Sequence, residues 1–268
     1  MTVRPRIILE RDARGIAVLT VDRPAKLNIL NTTLMTELVN RVDRLAEDAG
    51  LRALVLRGAG DRAFIGGADI DEMADLDAQS ARRFITLVHR CCDAFRRLPV
   101  PVIARIHGYV LGAGLEIAAA CDFRIAGADA RFGMPEVRVG IPSVVEAALL
   151  PQLIGWGRTR LLMMTGDIID AATARDWGLV EDVVPVDGLD DAVERRLTSI
   201  LAAGPRAVRL QKQLITAWED LPLRAAIERG IDSFVSSWEG DEPRRLMRDF
   251  LDQRRRRKLA AGRTENPE

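Results

Sequence analysis

The segment RIHGYVLGAGLEIAAACDFRIAGADARFGMPE, residues 105–136, decides the fold of this chain. It begins inside the apolar run of residues 100–106, which predicts a buried strand. The turn at residues 112–114 then leads into residues 115–121, whose small apolar side chains favour a helix. A glycine-rich turn between a strand and a helix presents backbone N–H groups that have no intrahelical partner.

Two carboxylates accompany this turn. Glu116 falls in the first turn of the predicted helix, and Glu136 follows it by 20 residues. Free N–H groups stabilise an anion or a developing oxyanion, and carboxylates supply general acid–base catalysis, so the segment predicts an acid–base site. A structural interpretation stands beside this one, because such turns are common in α/β proteins and a first-turn glutamate complements the helix dipole.

A second glycine-rich turn lies in FIGGADIDEM, residues 64–73, where Gly66 and Gly67 precede Ala68 and a predicted helix start. One N–H from each turn would make a two-donor oxyanion hole. Two separate donors suit a thioester carbonyl better than a phosphate, which usually needs a longer cradle.

Strands and helices alternate up to residue 136, which predicts an α/β fold built from strand–strand–helix units. The expected strands are residues 7–10, 16–21, 53–56, 100–106, 122–126 and 131–133, and the expected helices begin at residues 32 and 80. The remainder is mostly helical, with one last strand at residues 179–184. Its predicted helices are residues 144–154, 158–164, 171–177, 187–202, 205–218, 222–238 and 243–259.

Composition excludes several functions. The chain has 39 basic and 39 acidic residues and only 4% aromatic residues, so neither its charge nor its ring content favours a nucleic-acid partner. No apolar run is long enough for a membrane span, and the N-terminus lacks a signal-type apolar core. Cys91, Cys92 and Cys121 have no metal-ligand spacing and predict buried, reduced thiols in a cytoplasmic protein. With only His89 and His107, a histidine-rich metal site or a histidine-based catalytic triad is not expected.

With these features set out, the chain resembles the enoyl-CoA hydratase/isomerase family, the crotonase superfamily, from about residue 16 to residue 259. The segments that carry the resemblance are DRPAKLN, AFIGGADIDEM, PVIARIHGYVLGAGLEIAAACDFRIA, ARFGMPEVRVGIP and TGDIIDAATARDWGLVEDVVP. The resemblance implies a crotonase-type superhelix with an acyl-CoA site in residues 1–200 and a helical trimerisation region in residues 201–260. It also implies an acyl-CoA thioester as substrate, no cofactor or metal, and a homotrimer or homohexamer. Residues 261–268 are predicted to be a disordered tail.

The resemblance also assigns roles to particular residues. It implies that the N–H groups of Ala68 and Ala113 hold an enolate oxygen, that Glu116 activates water and that Glu136 delivers a proton to C2. Contact with coenzyme A or substrate is implied for Ala25, Lys26, Leu27, Gly66, Ala68, Asp69, Ile70 and Gly112. The basic run at residues 254–258 is interpreted either as a solvated helix end or as positive charge for the CoA phosphates.

The chain departs from the family pattern at two points. Ala113 stands where a glycine is frequent, and a backbone N–H survives there if the dihedrals accept a Cβ. After Pro142, the usual glycine-rich turn is replaced by Ser143-Val144-Val145-Glu146, which adds a third carboxylate. Glu146 is either a first-turn dipole partner or a pocket residue that changes water placement. Three hypotheses therefore follow: an enoyl-CoA hydratase first, another crotonase-type reaction such as double-bond isomerisation or acyl-CoA hydrolysis second, and a non-catalytic acyl-CoA-binding protein last.

Overall fold

The computed structural model describes residues 5–263, with the side chains of residues 5–257. The chain divides between Ile200 and Leu201 into two compact units. The first unit contains all ten strands of the described chain and the cavity discussed below. The roles predicted for the two regions, acyl-CoA binding and trimerisation, stay predictions.

The first unit is a succession of short strands and helices. Its strands are β1 (Arg6–Arg11), β2 (Ile16–Asp22), β3 (Ala53–Gly58), β4 (Ala63–Ile65), β5 (Val102–Ile106), β6 (Tyr109–Leu111), β7 (Phe123–Gly127), β8 (Arg131–Gly133), β9 (Ile168–Asp170) and β10 (Asp182–Val184). Its helices are α1 (Thr32–Ala46), α2 (Ile70–Met73), α3 (Ala78–Arg97), α4 (Ala113–Ala120), α5 (Leu150–Thr165), α6 (Ala171–Trp177) and α7 (Leu189–Ala202). Short 3₁₀ turns occupy Pro24–Lys26, Pro135–Val139, Val145–Leu149 and Val186–Gly188.

The strands form two sheets. The larger sheet has the order β1-β2-β3-β5-β7-β10 and is parallel except for the β1–β2 hairpin. The smaller sheet has the order β4-β6-β8-β9, with β9 antiparallel to β8. In three successive units (β3–β4, β5–β6 and β7–β8), the first strand joins the larger sheet and the second joins the smaller one. This arrangement is the predicted superhelix of strand–strand–helix units.

Apolar packing holds the sheets and helices together. The strands β3 and β5 are buried almost throughout, as expected for parallel strands covered on both faces. Phe64, Phe95 and Phe132 are fully buried in the core, and each contributes about 1.5–3 kcal/mol by its removal from water. The apolar faces of α1 and α3 pack on each other. All three cysteines are buried and free, as the sequence predicted.

Three short strands and one turn differ from the expectation. The strands β4, β6 and β9 were not predicted, because residues 63–65, 109–111 and 168–170 show no strand periodicity of their own. The segment Val145–Leu149 forms a 3₁₀ turn where an α-helix was expected, and Val145 there has a positive φ of 42°. The predicted break near residue 155 is confirmed, since Gly155 has non-helical dihedrals inside α5.

The second unit is helical, as predicted. It contains α8 (Pro205–Trp218), α9 (Leu223–Ser237) and α10 (Glu242–Arg263). The indole N–H of Trp218 donates to the Ala226 carbonyl oxygen at 2.9 Å and joins α8 to α9. The last helix extends to Arg263, beyond the predicted start of the tail at residue 261, and residues 264–268 lie outside the described residues. Among the described helices, none combines the length and the apolar character that a membrane crossing needs.

Candidate active site

The two glycine-rich turns lie side by side. A Cβ built on Gly114 would lie 2.0 Å from the carbonyl oxygen of Ile65, so only glycine lets the start of α4 approach the end of β4 this closely. The parallel pairing of β4 with β6 fixes the approach from the other direction. The convergence of the turns therefore depends on a residue without a side chain.

Backbone hydrogen bonds hold the glycine-rich turn at Gly66 and Gly67 against the loop before α1. The Gly66 N–H donates to Leu27 O, and the Leu30 N–H donates to Gly67 O, each at 2.8 Å. The Asp69 N–H then donates to Leu30 O at 2.8 Å. These bonds use the groups on both sides of Ala68, whose own N–H donates to no other residue of the described chain.

The second donor is the N–H of Ala113. Ala113 is the first residue of α4, so its N–H has no intrahelical acceptor. Its φ is not positive, since the described non-glycine residues with positive φ are Leu27, Asn28 and Val145. The alanine that replaces the frequent glycine is therefore unstrained and keeps the donor.

A cavity of about 250 Å³ opens beside both turns. Its polar lining includes Glu116, Glu136, Arg138 and Ser143. The rest of its wall is backbone of the two turns and apolar side chains, contributed by Gly66, Gly67, Ala68, Ile70, Met73, Phe84, Ile85, Val88, Leu111, Gly112, Ala113, Pro135, Val139, Ile141, Pro142 and Val144. Five of the predicted binding residues and both predicted carboxylates thus share one cavity, which is lined by Gly66, Ala68, Ile70, Gly112, Ala113, Glu116 and Glu136 among others.

Glu116 is buried in the wall of this cavity, with 4% of its surface exposed. Burial, and then the charges of Glu136 and Glu146, raise the pKa of its carboxyl group from 4.5 to about 8. The nearby backbone N–H groups of Ala147 and Val144 act in the opposite direction and lower this pKa. Glu116 therefore holds a proton at neutral pH in the free protein.

Glu136 is held by two neighbours at the start of the 3₁₀ turn Pro135–Val139. The Ser143 hydroxyl donates to its Oε2 at 2.8 Å. On the other side, a Cβ built on Gly112 would lie 2.3 Å from its Oε1, and Gly112 has a φ of 51°. Gly112 is thus required twice, by its left-handed backbone and by the carboxylate against its Cα.

Three predicted contact residues lie beside the cavity and do not line it. Ala25 and Lys26 belong to the 3₁₀ turn Pro24–Lys26, and Leu27 follows it with a φ of 53°. The Lys26 ammonium group pairs with Asp71 at 2.7 Å on the surface. The contact of these residues with coenzyme A stays a prediction.

The side chain of Asp69 is buried and takes part in contacts that stabilise the fold. It is 4% exposed, and its carboxylate forms an ion pair with Arg23 at 2.7 Å. The same side chain caps α2 by accepting the Asp71 N–H at 3.2 Å. A direct contact of Asp69 with substrate is likewise still a prediction, because it does not line the cavity.

Sequence reasoning missed two side-chain contacts near the carboxylates. One is the Ser143–Glu136 hydrogen bond. The other is a pair between His89 on α3 and Glu146, whose Nδ1 and Oε1 atoms are 2.7 Å apart. Glu146 does not line the cavity. The departure from the family pattern at residues 143–146 was the only sequence signal, and it did not identify either partner.

Comparisons with known proteins define the family. The sequence model described as enoyl-CoA hydratase/isomerase matches residues 11–257. The chain therefore belongs to the enoyl-CoA hydratase/isomerase family. It is 36% identical over 250 residues to the crotonyl-CoA hydratase of Syntrophomonas wolfei subsp. wolfei, a match that covers 93% of this chain and 96% of that one.

Further relatives agree. The short-chain-enoyl-CoA hydratase of Clostridium acetobutylicum is 34% identical over 250 residues, which is 93% of this chain and 95% of the relative. The crystal structure of an enoyl-CoA hydratase from Mycobacterium smegmatis superimposes with a TM-score of 0.90 at 30% identity, over 93% of this chain and 97% of the other. The crotonase-type fold predicted from the sequence is thereby confirmed.

Proposed function

We propose that the protein is an enoyl-CoA hydratase, which adds water across the 2,3 double bond of a 2-enoyl-CoA thioester. One observation carries the proposal: two carboxylates and two unpaired backbone donors lie around a single, mostly apolar cavity. Relatives that cover nearly the whole chain are named as hydratases of short enoyl-CoA thioesters.

The thioester oxygen lies between the N–H groups of Ala68 and Ala113. Attack of a nucleophile at C3 moves electrons through the conjugated system onto this oxygen, and the resulting enolate is stabilised by the two donors. The donors belong to rigid turns fixed by Gly114 and by the loop before α1, so they need no rearrangement as the charge develops.

The two glutamates act as general acid and general base. In hydration, ionised Glu116 takes a proton from the attacking water and protonated Glu136 delivers one to C2. In dehydration, protonated Glu116 assists departure of the hydroxyl and ionised Glu136 removes the C2 proton. The raised pKa of Glu116 means that this carboxyl group is protonated in the free protein at neutral pH, as dehydration requires of it. A single proton thus alternates between the two carboxylates during the cycle.

The apolar wall accommodates the acyl chain. Met73, Phe84 and Val88 face the cavity together with Ile141 and Val144, and burial of each methylene group of a bound acyl chain contributes about 0.8 kcal/mol. We propose that coenzyme A extends from the cavity past Ala25, Lys26 and Leu27. General acid–base chemistry of this kind needs no cofactor.

The loss of the conjugated enoyl thioester absorbance of crotonyl-CoA tests the proposal. Wild-type protein is expected to remove the signal, and Glu116→Gln and Glu136→Gln are each expected to lower kcat by at least about 100-fold. Glu47→Gln, which changes an exposed glutamate at the end of α1 outside the cavity, serves as the control and is expected to retain activity. Full hydration by Glu136→Gln, or conversion of only 3-enoyl isomers by the wild type, would contradict the assignment.

We also propose that the chain assembles into a homotrimer or a dimer of trimers. In the single chain, α9 exposes Leu223, Ile227, Ile231 and Phe234, a spacing of one helical face. Large exposed apolar surface of this kind is typical of an interface between subunits. Light scattering after size-exclusion chromatography measures the subunit count, and a monomer at micromolar concentration would exclude this assembly. A cytoplasmic location remains a prediction of the sequence.

A further inference from the structure

The turn after Pro142 is strained at the point where it meets the catalytic carboxylate. Val145 has a φ of 42°, a left-handed conformation that a β-branched residue rarely adopts. Such a conformation persists only where the surrounding contacts enforce it. The turn packs directly against α4, the helix that carries Glu116, and its Ala147 N–H donates to the Val144 carbonyl oxygen at 2.9 Å.

Glu146, in the same turn, is anchored away from the cavity. Its side chain is 9% exposed, and its Oε1 lies 2.7 Å from Nδ1 of His89. Its Oε2 is buried without a hydrogen-bond partner among the described residues, so His89 holds the carboxylate by one oxygen. His89 lies on α3, which packs against both α4 and the turn that contains Glu146.

We propose that His89 and Glu146 form a positioning pair for Glu116: their hydrogen bond holds the strained turn in the conformation in which it packs against α4 beside the Glu116 carboxylate. The inference rests on the proposed function for its kinetic consequence. It assigns a role to a third carboxylate that neither touches the cavity nor acts on substrate.

Charge adds a second link between the pair and Glu116. The titratable groups around Glu116 are Glu136 from the turn Pro135–Val139, Glu146 from the turn Val145–Leu149, and Cys92 from α3. The negative charge of Glu146 raises the pKa of Glu116. A neutral residue at position 146 therefore moves the titration of Glu116 to lower pH.

Three variants separate positioning from packing. His89→Ala removes the hydrogen bond, whereas His89→Asn keeps an N–H donor near the place of Nδ1. Because a hydrogen bond to a charged group is lost, His89→Ala is expected to lower kcat for crotonyl-CoA about tenfold with KM changed less than about twofold. His89→Asn is expected to recover most of this loss, and Arg82→Ala, an exposed change on the same helix, is expected to match the wild type.

The third variant, Glu146→Gln, gives a readout that a structural role alone does not move. It is expected to shift the titration of Glu116 to lower pH, measured both as the acid limb of the pH profile of kcat for hydration and in the pH dependence of urea unfolding. Equal kcat for His89→Ala and wild type, equal losses in His89→Ala and His89→Asn, or an unmoved titration in Glu146→Gln would overturn the inference.

The unfolding measurement does not require catalytic activity. The positioning pair and the proposed hydratase function can therefore be refuted independently of each other. Wild-type protein that leaves crotonyl-CoA unchanged removes the proposed function. A shifted titration of Glu116 in His89→Ala, which keeps the charge of Glu146, would still support the positioning pair in that same protein, and an unshifted one would overturn it.

Discussion

Glu116→Gln should change how stability depends on pH. In the folded protein the pKa of Glu116 is raised from 4.5 to about 8, chiefly because the carboxyl group is buried. As the pH rises above 4.5, the unfolded chain releases this proton while the folded chain retains it, so unfolding becomes more favourable. The stabilising contribution is complete below the unfolded pKa and is lost as the pH approaches 8.

The size of the effect follows from the two pKa values. One pKa unit corresponds to about 1.36 kcal/mol, so the free energy of unfolding should fall by about 3 kcal/mol between about pH 5 and pH 8 through Glu116 alone. Glutamine has nearly the same shape but does not titrate, and the variant should lack this component. The difference between wild type and Glu116→Gln isolates it, because the other ionisable groups contribute similarly to both proteins.

Urea unfolding provides the assay, monitored by fluorescence of the four tryptophans at fixed protein concentration. Glu47→Gln, which alters an exposed glutamate at the end of α1, is the matched control and should parallel the wild type. If the difference in the free energy of unfolding between wild type and Glu116→Gln stayed constant within about 0.5 kcal/mol across this range, the conclusion that the buried Glu116 holds a proton would be refuted.

Three further substitutions test the geometry of the site. Gly112→Ala adds a Cβ that would clash with Glu136, at a residue whose φ of 51° disfavours any side chain. We expect kcat to fall at least about tenfold and the free energy of unfolding to fall by more than about 1 kcal/mol. Ser143→Ala removes the hydrogen bond to Glu136, and steady-state kinetics should show a roughly tenfold lower kcat with little change in KM. Arg23→Met leaves the buried carboxylate of Asp69 without its ion-pair partner, which should cost about 3–5 kcal/mol in urea unfolding.

The sequence predicted the framework because its signals are local. Helix α1 begins after Asn31, whose side chain accepts the Leu34 N–H, and this cap and the apolar spacing of the helix are readable from a dozen residues. The hairpin β1–β2 follows from two apolar runs around Gly15. By contrast, β4, β6 and β9 become strands only through pairing with each other and with β8, which no three-residue run specifies.

The candidate active site likewise combines features that the sequence predicted with a contact that it could not predict. The spacing and turn chemistry around Glu116 and Glu136 predicted two carboxylates beside free N–H groups, and the structure brings these residues to one cavity. The His89–Glu146 pair was not predictable, because it joins residues 57 positions apart. Its geometry depends on the packing of α3 against the turn, and no propensity or spacing in either segment encodes that contact.

The departure from the family pattern also has a physical consequence for the backbone. A glycine-rich turn after Pro142 would adopt left-handed dihedrals without strain, whereas Val145 adopts a φ of 42° at a cost of about 1–3 kcal/mol. A chain that keeps this strained conformation without glycine must enforce it with contacts from neighbouring elements. The Glu146 carboxylate held by His89 and the packing of the turn against α4 are contacts of this kind, and both are lost if the turn relaxes. The strain, the third carboxylate and the proton on Glu116 are therefore linked features of one turn.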